Sequence, residues 1–280
     1  MNIKILSDST CDLSAELLKE HNITLVPLTV IKDSKEFKDG VTITPAEIFA
    51  HVAAGGDLCS TSANSVGEYA DLFEKYAADH DGVLLITIGS GFSSCYQNAC
   101  IAASDYDNVK VVDSMNLSTG QGLVVLEACR LAKECASVEE LREKVQAFTA
   151  KVEASFLVDK LTYLAKGGRC SSVAALGANL LNLKPCIEVR DGKMSVVKKY
   201  RGSYSKCLAN YTEERLANRD DIRRDTLFIT KTSVSNEEYA AVMEAVDAHG
   251  HFANTYETTA GCTVSCHCGP GTLGVLFVRK

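Results

Sequence analysis

Apolar and polar segments alternate along the first 150 residues in a pattern typical of an α/β fold. Short apolar runs at Ile3–Leu6, Val83–Ile88 and Val109–Val112 predict buried strands. A polar loop follows each run, and after the second run the apolar residues of segment 96–103 recur at helical spacing. Because strands that alternate with helices form parallel sheets, we predict an N-terminal parallel sheet with helices on both sides.

Local signals also predict where several helices begin. Asp12 or Ser14 is expected to cap a helix over 15–21, and a single strand is predicted over Ile23–Ile31, before a turn at Asp39-Gly40. Segment 44–47 has a threonine as helix cap, a proline at the first helical position and a glutamate three residues after the cap, which is the pattern of a capping box. Ser65 and Glu68 have the same spacing and predict a second capping box. We therefore predict helices that start near residues 45 and 66.

The pattern changes near residue 153. Segment 186–189 and segment 194–200 predict a hairpin, because Asp191-Gly192 between them is a strong turn signal. An Ala/Leu/Gly-rich helix is predicted over Ser171–Leu181, and the last two strands are predicted on either side of residues 269–271. An antiparallel pair among helices indicates an α+β domain with a mixed sheet. We therefore predict two domains, 1–152 and 153–280.

Charge and hydropathy narrow the class of protein. The net charge of −7 argues against a general nucleic-acid binder or a binder of anionic membranes, because both need a positive face. No apolar run approaches the roughly 20 residues of a membrane helix, and residues 1–4 lead into a strand without the features of a signal peptide. We expect a cytoplasmic protein with at most transient membrane contact.

The twelve cysteines suggest two alternatives. Without a secretion signal they are expected to be reduced thiols, most of them filling small apolar spaces. The run Cys262-Thr-Val-Ser-Cys266-His267-Cys268 places three sulfurs and an imidazole within seven residues, which could ligate zinc, although no CxxC spacing is present. A cysteine nucleophile paired with His267 is the other alternative.

Two hydroxyl-rich loops and two basic residues are the candidate binding groups. Thr61-Ser62 precedes a predicted helix, and Ser93-Ser94 lies in a Gly/Ser loop between a strand and a helix. Arg169 and His267 stand in glycine-bracketed turns. Hydroxyls, helix N–H groups and an arginine fork suit a carboxylate or a phosphate. Serine-hydrolase, Walker and kinase motifs are absent from the sequence, so it predicts recognition of a small anion and not catalysis.

Seven short stretches together resemble the DegV family of bacterial fatty-acid-binding proteins over essentially the full length. The stretches are DSTCDL (8–13), TS (61–62), GSGFSSCYQNA (89–99), VVDS (111–114), LTYLAKGGR (161–169), LNLKPCIEV (181–189) and HCGPGTLGVLF (267–277). Their order along the chain makes the resemblance specific.

The resemblance implies a tunnel between two domains that holds one long-chain fatty acid and needs no other cofactor. It implies that Thr61 and Ser93, with Ser62 and Ser94 beside them, bind the carboxylate, and that Arg169 and His267 lie at the tunnel mouth. Many family members present the carboxylate to a separate ATP-dependent kinase subunit, which forms an acyl phosphate for phospholipid synthesis. The implied protein is therefore noncatalytic on its own. Residues 63–64 and 94–95 depart from the family pattern, which leaves the chain-length preference open.

Overall fold

Three β-sheets organise the described part of the chain, residues 1–170 and 183–280, in this computed structural model. The strands are β1 (Ile3–Asp8), β2 (Thr24–Val26), β3 (Thr29–Lys32), β4 (Lys35–Lys38), β5 (Ser60–Ser62), β6 (Gly82–Thr87), β7 (Val109–Asp113), β8 (Val152–Val158), β9 (Leu183–Arg190), β10 (Lys193–Arg201), β11 (Ile222–Lys231), β12 (Asn254–Thr259) and β13 (Thr272–Arg279). The helices are α1 (Ala15–Glu20), α2 (Pro45–Ala53), α3 (Val66–Ala77), α4 (Cys95–Ala103), α5 (Thr119–Leu131), α6 (Val138–Phe148), α7 (Thr162–Gly167), α8 (Tyr204–Leu216), α9 (Asn236–Ala248) and α10 (Cys262–Cys268). The helix predicted over Ser171–Leu181 lies outside the described residues.

The N-terminal sheet is parallel, as the alternating pattern predicts. Its strand order is β2-β1-β6-β7, and each neighbouring pair runs in the same direction. The chain leaves β1 toward one edge of the sheet and later continues from β6 toward the other, so the loops after β1 and β6 meet at a switch point. The Ile88 N–H donates to Asp8 Oδ2 at 2.7 Å and joins these two loops.

The single strand predicted over Ile23–Ile31 is wrong. The structure divides this segment into β2, which pairs with β1, and β3, which pairs with β4 and β5 in a separate antiparallel sheet. Pro27 lies between the two strands, where it has no N–H to donate to a ladder. The small sheet places Thr61 opposite Val30, so Thr61 belongs to a strand and not to a loop.

The helix starts follow their capping signals. The Thr44 hydroxyl accepts from the Glu47 N–H, and the Ser65 hydroxyl accepts from the Glu68 N–H. In both helices the glutamate carboxylate accepts in return from the N–H of the capping residue, which completes a capping box. Of the two candidates for α1, Ser14 is the cap, because its hydroxyl accepts from the Leu17 N–H. Asp12 is therefore available for a contact elsewhere in the chain.

The C-terminal sheet is mixed, with strand order β10-β9-β8-β13-β11-β12. From β10 to β11 each strand runs antiparallel to the next strand in this order, whereas the edge strand β12 runs parallel to β11. The predicted hairpin is confirmed: Asp191 and Gly192 have φ values of 51° and 68°, as a two-residue type I′ turn requires. The sheet begins with β8 at Val152, and the domain limits 1–152 and 153–280 stay a prediction.

Alternate residues of this sheet enter two different cores, as the period of a strand requires. Leu157, Val275 and Phe277 pack with α8 on one face. Phe156 and Leu276 point to the other face and join the core of the N-terminal sheet. Helix α5 lies in that shared core, where nearly all of its residues are buried. The two sheets are thus joined by one continuous apolar interior.

The sequence predicts one strand directly before and one directly after residues 269–271, and the prediction of the strand before them is wrong. The segment before Gly269 is helix α10, and β12 ends earlier, at Thr259. Cys262 and Cys266, four residues apart, pack in a small cluster beside β3 and α2. Val264 and Cys268, also four apart, pack in the core between the two sheets. Burial on both sides hides the amphipathic pattern that usually identifies a helix.

Within residues 1–170 and 183–280, no helix is both long and apolar enough to cross a bilayer.

The buried hydroxyl of Tyr211 on α8 generates a stability prediction. It donates to the Ser155 carbonyl at 2.7 Å and accepts from the Val275 N–H at 3.0 Å, so it ties the helix to two strands. Tyr211→Phe should lower the free energy of unfolding by about 1–3 kcal/mol, because a buried N–H loses its acceptor. Urea denaturation measures the change.

Tyr106→Phe is the matched control, because its hydroxyl makes one long contact of 3.5 Å to the Ala70 carbonyl. We expect a change within about 0.5 kcal/mol for this control. Equal losses in the two variants would show that the Tyr211 hydrogen bonds contribute nothing specific.

Candidate functional site

Two adjoining cavities lie against the inner face of the C-terminal sheet. The first, which we call the polar-ended cavity, has about 570 Å³ of space between the protein atoms when the space open to solvent is counted. The second, the apolar cavity, has about 390 Å³ by the same measure and is lined by residues of β8, β9, β11 and β13. The two cavities adjoin, because both are lined by Leu117, Val264 and Cys268.

Five of the six predicted site residues line the polar-ended cavity. They are Thr61, Ser62, Ser93, Arg169 and His267. Ser94 is exposed and is not among the described residues that line this cavity. The other walls are mainly apolar, with Leu28, Ile88, Phe92, Leu164 and Met194 among them. Hydroxyl, imidazole and guanidinium groups therefore share one cavity with mainly apolar walls.

Thr61 and His267 are in direct contact although 206 positions separate them. Thr61 Oγ1 on β5 lies 2.8 Å from His267 Nε2 on α10. Burial and, to a smaller extent, the positive charge of Arg169 together lower the pKa of His267 to about 4. The imidazole is consequently neutral at pH 7. One of its nitrogens carries a proton, and the other can accept one.

The second ring nitrogen of His267 faces Gly167 at the end of α7. His267 Nδ1 is buried and has no hydrogen-bond partner among the described residues. A Cβ added at Gly167 would lie 2.6 Å from this nitrogen, so only glycine allows α7 to approach the ring so closely. The end of α7 thereby forms one wall around the imidazole.

Ser93, Ser62 and Ser94 differ in what their hydroxyls do. Ser93 Oγ accepts from the Cys95 N–H at 3.3 Å and lies 3.1 Å from its sulfur, so it serves the first turn of α4. Ser62 donates to the Ala63 carbonyl at 3.3 Å. Ser94 occupies the N-cap position of α4 but makes no capping hydrogen bond with its side chain. Ser93 and Ser62 thus remain beside the cavity, whereas Ser94 points to solvent.

Arg169 stands at the outer side of the same cavity. It follows Gly168, whose φ of 67° ends α7 in the left-handed region that glycine adopts without strain. The Arg169 side chain is exposed, and its guanidinium donates to the Gly167 carbonyl at 2.7 Å. It also borders two further surface cavities, so the guanidinium lies between the interior and the solvent.

The thiols near this site are poor nucleophiles. Burial raises the pKa of Cys95 to about 11 and that of Cys268 to about 12. A thiol reacts as the thiolate, so both side chains stay unreactive at neutral pH. The same cause raises the pKa of Cys262 to about 12. In residues 1–170 and 183–280, no three His, Cys, Asp or Glu side chains are grouped as metal ligands.

Sequence reasoning missed two acidic residues that support the site. The Asp12 carboxylate accepts from the Gly261 N–H, and the Asp39 carboxylate accepts from the N–H groups of Cys262 and Thr263. Both carboxylates therefore hold the start of the helix that carries His267. Asp12 lies within a stretch already noted for its polar character, but nothing local indicates a partner 249 positions away.

Comparisons with known proteins agree with this architecture. A family model described as an uncharacterised protein of the DegV family matches residues 2–280. A DegV domain-containing protein of Caldanaerobacter subterraneus subsp. tengcongensis is 32% identical, over 99% of each chain.

Solved structures extend the comparison to the fold. A DegV family protein from Thermus thermophilus, described as fatty acid binding, gives a TM-score of 0.92 at 27% identity and covers 100% of both chains. A stearic acid-binding protein from Eubacterium ventriosum gives 0.84 at 30% identity, over 99% of this chain and 98% of its own. The predicted α/β fold with two sheets is confirmed, and the chain belongs to the DegV family.

Proposed function

We propose that this protein binds one long-chain fatty acid and presents its carboxylate to a separate ATP-dependent kinase. The observation that carries the proposal is the pair of adjoining apolar cavities with hydroxyl, imidazole and guanidinium groups at one end. An amphiphile with one polar end and a long apolar tail matches that distribution. Similarity to solved proteins that bind fatty acids, including stearic acid, supports the same ligand class.

The alkyl chain provides most of the binding free energy in this proposal. Each methylene transferred from water contributes about 0.8 kcal/mol, so a chain of this class gains far more from apolar walls than from its head group. The apolar cavity supplies such walls through Ala154, Phe156, Val189 and Leu276. Its hydroxyls are already engaged: Thr232 donates to the Gly269 carbonyl, and Thr272 donates to the Cys268 carbonyl. They therefore do not require a polar ligand.

The head group is oriented by Thr61 with help from a neutral His267. When the proton is on Nε2, the imidazole donates to Thr61 Oγ1, and the threonine O–H is then free to donate to a carboxylate oxygen. A neutral imidazole adds no positive charge at this point, so the carboxylate keeps its nucleophilic character. Ser93 offers a second hydroxyl in the lining of the same cavity.

Arg169 suits the step in which a phosphoryl group arrives. Its guanidinium is exposed at the mouth of the cavity and can neutralise charge on the carboxylate and on an incoming phosphate. The chain has no Walker or kinase motif, so a second protein must bring the ATP. Acyl-phosphate formation by such a partner in the cytoplasm, followed by use in phospholipid synthesis, completes the proposed role.

Thr61→Val tests the head-group assignment, because valine keeps the shape of threonine and removes the hydroxyl. We expect the affinity of the delipidated protein for palmitate to fall about 10- to 150-fold, as for the loss of one hydrogen bond to a charged group. Titration calorimetry measures the affinity. Thr255→Val on the exposed edge strand β12 is the matched control and should leave it unchanged. Unchanged affinity in Thr61→Val would remove this residue from the site.

Arg169→Ala tests the division between binding and phosphoryl transfer. Palmitate affinity should fall less than about fivefold, since the tail dominates binding. Acyl-phosphate formation with the partner kinase should fall at least about 100-fold, because a charge-stabilising group is lost. Hydroxamate trapping measures the acyl phosphate, and Arg201→Ala, also exposed, is the control. Equal losses of binding and transfer would contradict the assignment.

His267→Gln tests the lowered pKa. The folded protein keeps this imidazole neutral down to a pKa of about 4, whereas the unfolded chain takes up a proton near 6.5. Stability from this residue is therefore present above pH 6.5 and is lost as the pH falls toward 4. Over that interval the wild type should lose more unfolding free energy than His267→Gln, by on the order of 1–3 kcal/mol.

Urea denaturation of delipidated protein across this pH range provides the comparison for His267. His251→Gln serves as the control, because His251 is exposed and lies before α10. Parallel pH profiles of the wild type and His267→Gln would show that this histidine is not desolvated by the fold.

A further inference from the structure

Helix α10 has an unusual start. Its N-cap residue is Gly261, which has no side chain to accept from the first turn, and Cys262 and Thr263 are buried. The free N–H groups at a helix start must find acceptors when water cannot reach them. The acceptors for this helix therefore come from another part of the protein.

Two carboxylates from the N-terminal half fill this role. Asp12 Oδ1 accepts from the Gly261 N–H at 2.8 Å. Asp39 accepts from the Cys262 N–H at 2.8 Å with one oxygen and from the Thr263 N–H at 3.1 Å with the other. Burial raises the pKa of Asp12 to about 8, so at pH 7 Asp12 contributes to this helix start as a hydrogen-bond acceptor and not as a full negative charge. Both carboxylates are buried, with Asp12 8% and Asp39 4% exposed, so water does not compete strongly for these contacts.

Each carboxylate is itself held in position. The Ser118 hydroxyl donates to Asp12 Oδ2 at 2.6 Å, and the Ser9 hydroxyl donates to Asp39 Oδ2 at 3.0 Å. Gly261 lets Asp12 come close, because a Cβ at this position would lie 2.9 Å from Asp12 Oδ1. The contact is thus a close fit between parts of the chain that are far apart in sequence.

The other end of α10 carries His267, and the middle of the helix lines both cavities through Val264. A helix of seven residues moves as one piece, so a shift at its start changes the position of the imidazole. We propose that Asp12 and Asp39 are positioning residues, which hold His267 Nε2 against Thr61 Oγ1 through α10. The inference rests on the proposed function, because it assigns these residues to the support of the same head-group site.

Asp39→Asn tests the inference in the full-length, delipidated protein. The amide keeps one oxygen but presents an NH₂ group where the second oxygen accepts from the Thr263 N–H and the Ser9 hydroxyl. We expect α10 to shift and His267 to gain solvent. The His267 imidazole, followed by NMR, should then titrate closer to its ordinary value of about 6.5 than to about 4.

The same variant should separate head-group binding from tail binding. Palmitate affinity should fall about tenfold, whereas the affinity for 1-hexadecanol, which lacks the carboxylate, should change less than about twofold. A residue that only stabilises the fold would weaken both ligands equally or neither. The ratio of the two affinities therefore reports positioning and not general stability.

Two further variants keep the test decisive. Gly261→Ala disturbs the same contact from the helix side without backbone strain, because its φ is −64°, and it decides the question if Asp39→Asn does not fold. Ser235→Ala removes the cap of α9 in the same half of the protein and should alter neither the titration nor the ligand ratio.

The outcomes separate this inference from the proposed function. A folded Asp39→Asn or Gly261→Ala protein whose His267 titration and ligand ratio match the wild type would overturn the positioning role. A protein that binds neither ligand, but whose His267 titration moves in these variants, would refute fatty-acid binding and still support positioning.

Discussion

The buried start of helix α10 is the constraint on which the candidate site depends. Backbone N–H groups removed from water need acceptors, and Gly261 cannot supply one from its own side chain. Asp12 and Asp39 supply them from loops at the carboxyl edge of the N-terminal sheet and beside the small sheet. Those loops must therefore be correctly placed for the N–H groups at the start of α10 to be satisfied. Through this single short helix, the geometry of the N-terminal half determines where an imidazole of the C-terminal half lies.

How much of this could be predicted from the sequence depends on how local each signal is. The capping boxes at Thr44 and Ser65 and the turn at Asp191-Gly192 act within a few residues, and the structure confirms them. The split of segment 23–31 depends on which sheets accept its two halves, which is a tertiary choice. Helix α10 escaped prediction because it is buried on both sides and has no amphipathic stripe. For the site, the sequence identified polar residues that meet at one cavity but not the carboxylates that place them.

The pairing of Thr61 with His267 explains how a polar site can exist at the edge of an apolar cavity. A hydroxyl and a neutral imidazole at 2.8 Å pair Thr61 Oγ1 with His267 Nε2, whereas the buried Nδ1 has no hydrogen-bond partner among the described residues. A protonated imidazole would cost more in this buried position, and the lowered pKa of His267 reflects that cost. Arg169 remains at the solvent side, where its charge is hydrated. Neutral groups inside and a charged group outside thus form a gradient of polarity toward the mouth.

The small size of most side chains in α10 is explained by the way this helix is packed. The helix is enclosed between the cluster beside β3 and the core between the two large sheets, so most of its positions must be small. Cysteine, threonine, valine and serine meet this requirement; burial raises the pKa of Cys262 and Cys268 and keeps both thiols neutral, and the Cys262 thiol donates to the Ile43 carbonyl at 3.2 Å. Position 267 alone in this helix carries a long side chain, and it is the one that reaches across to Thr61. The cysteine-rich run that suggested metal binding or thiol chemistry is therefore better explained as the packing that delivers one histidine to the site.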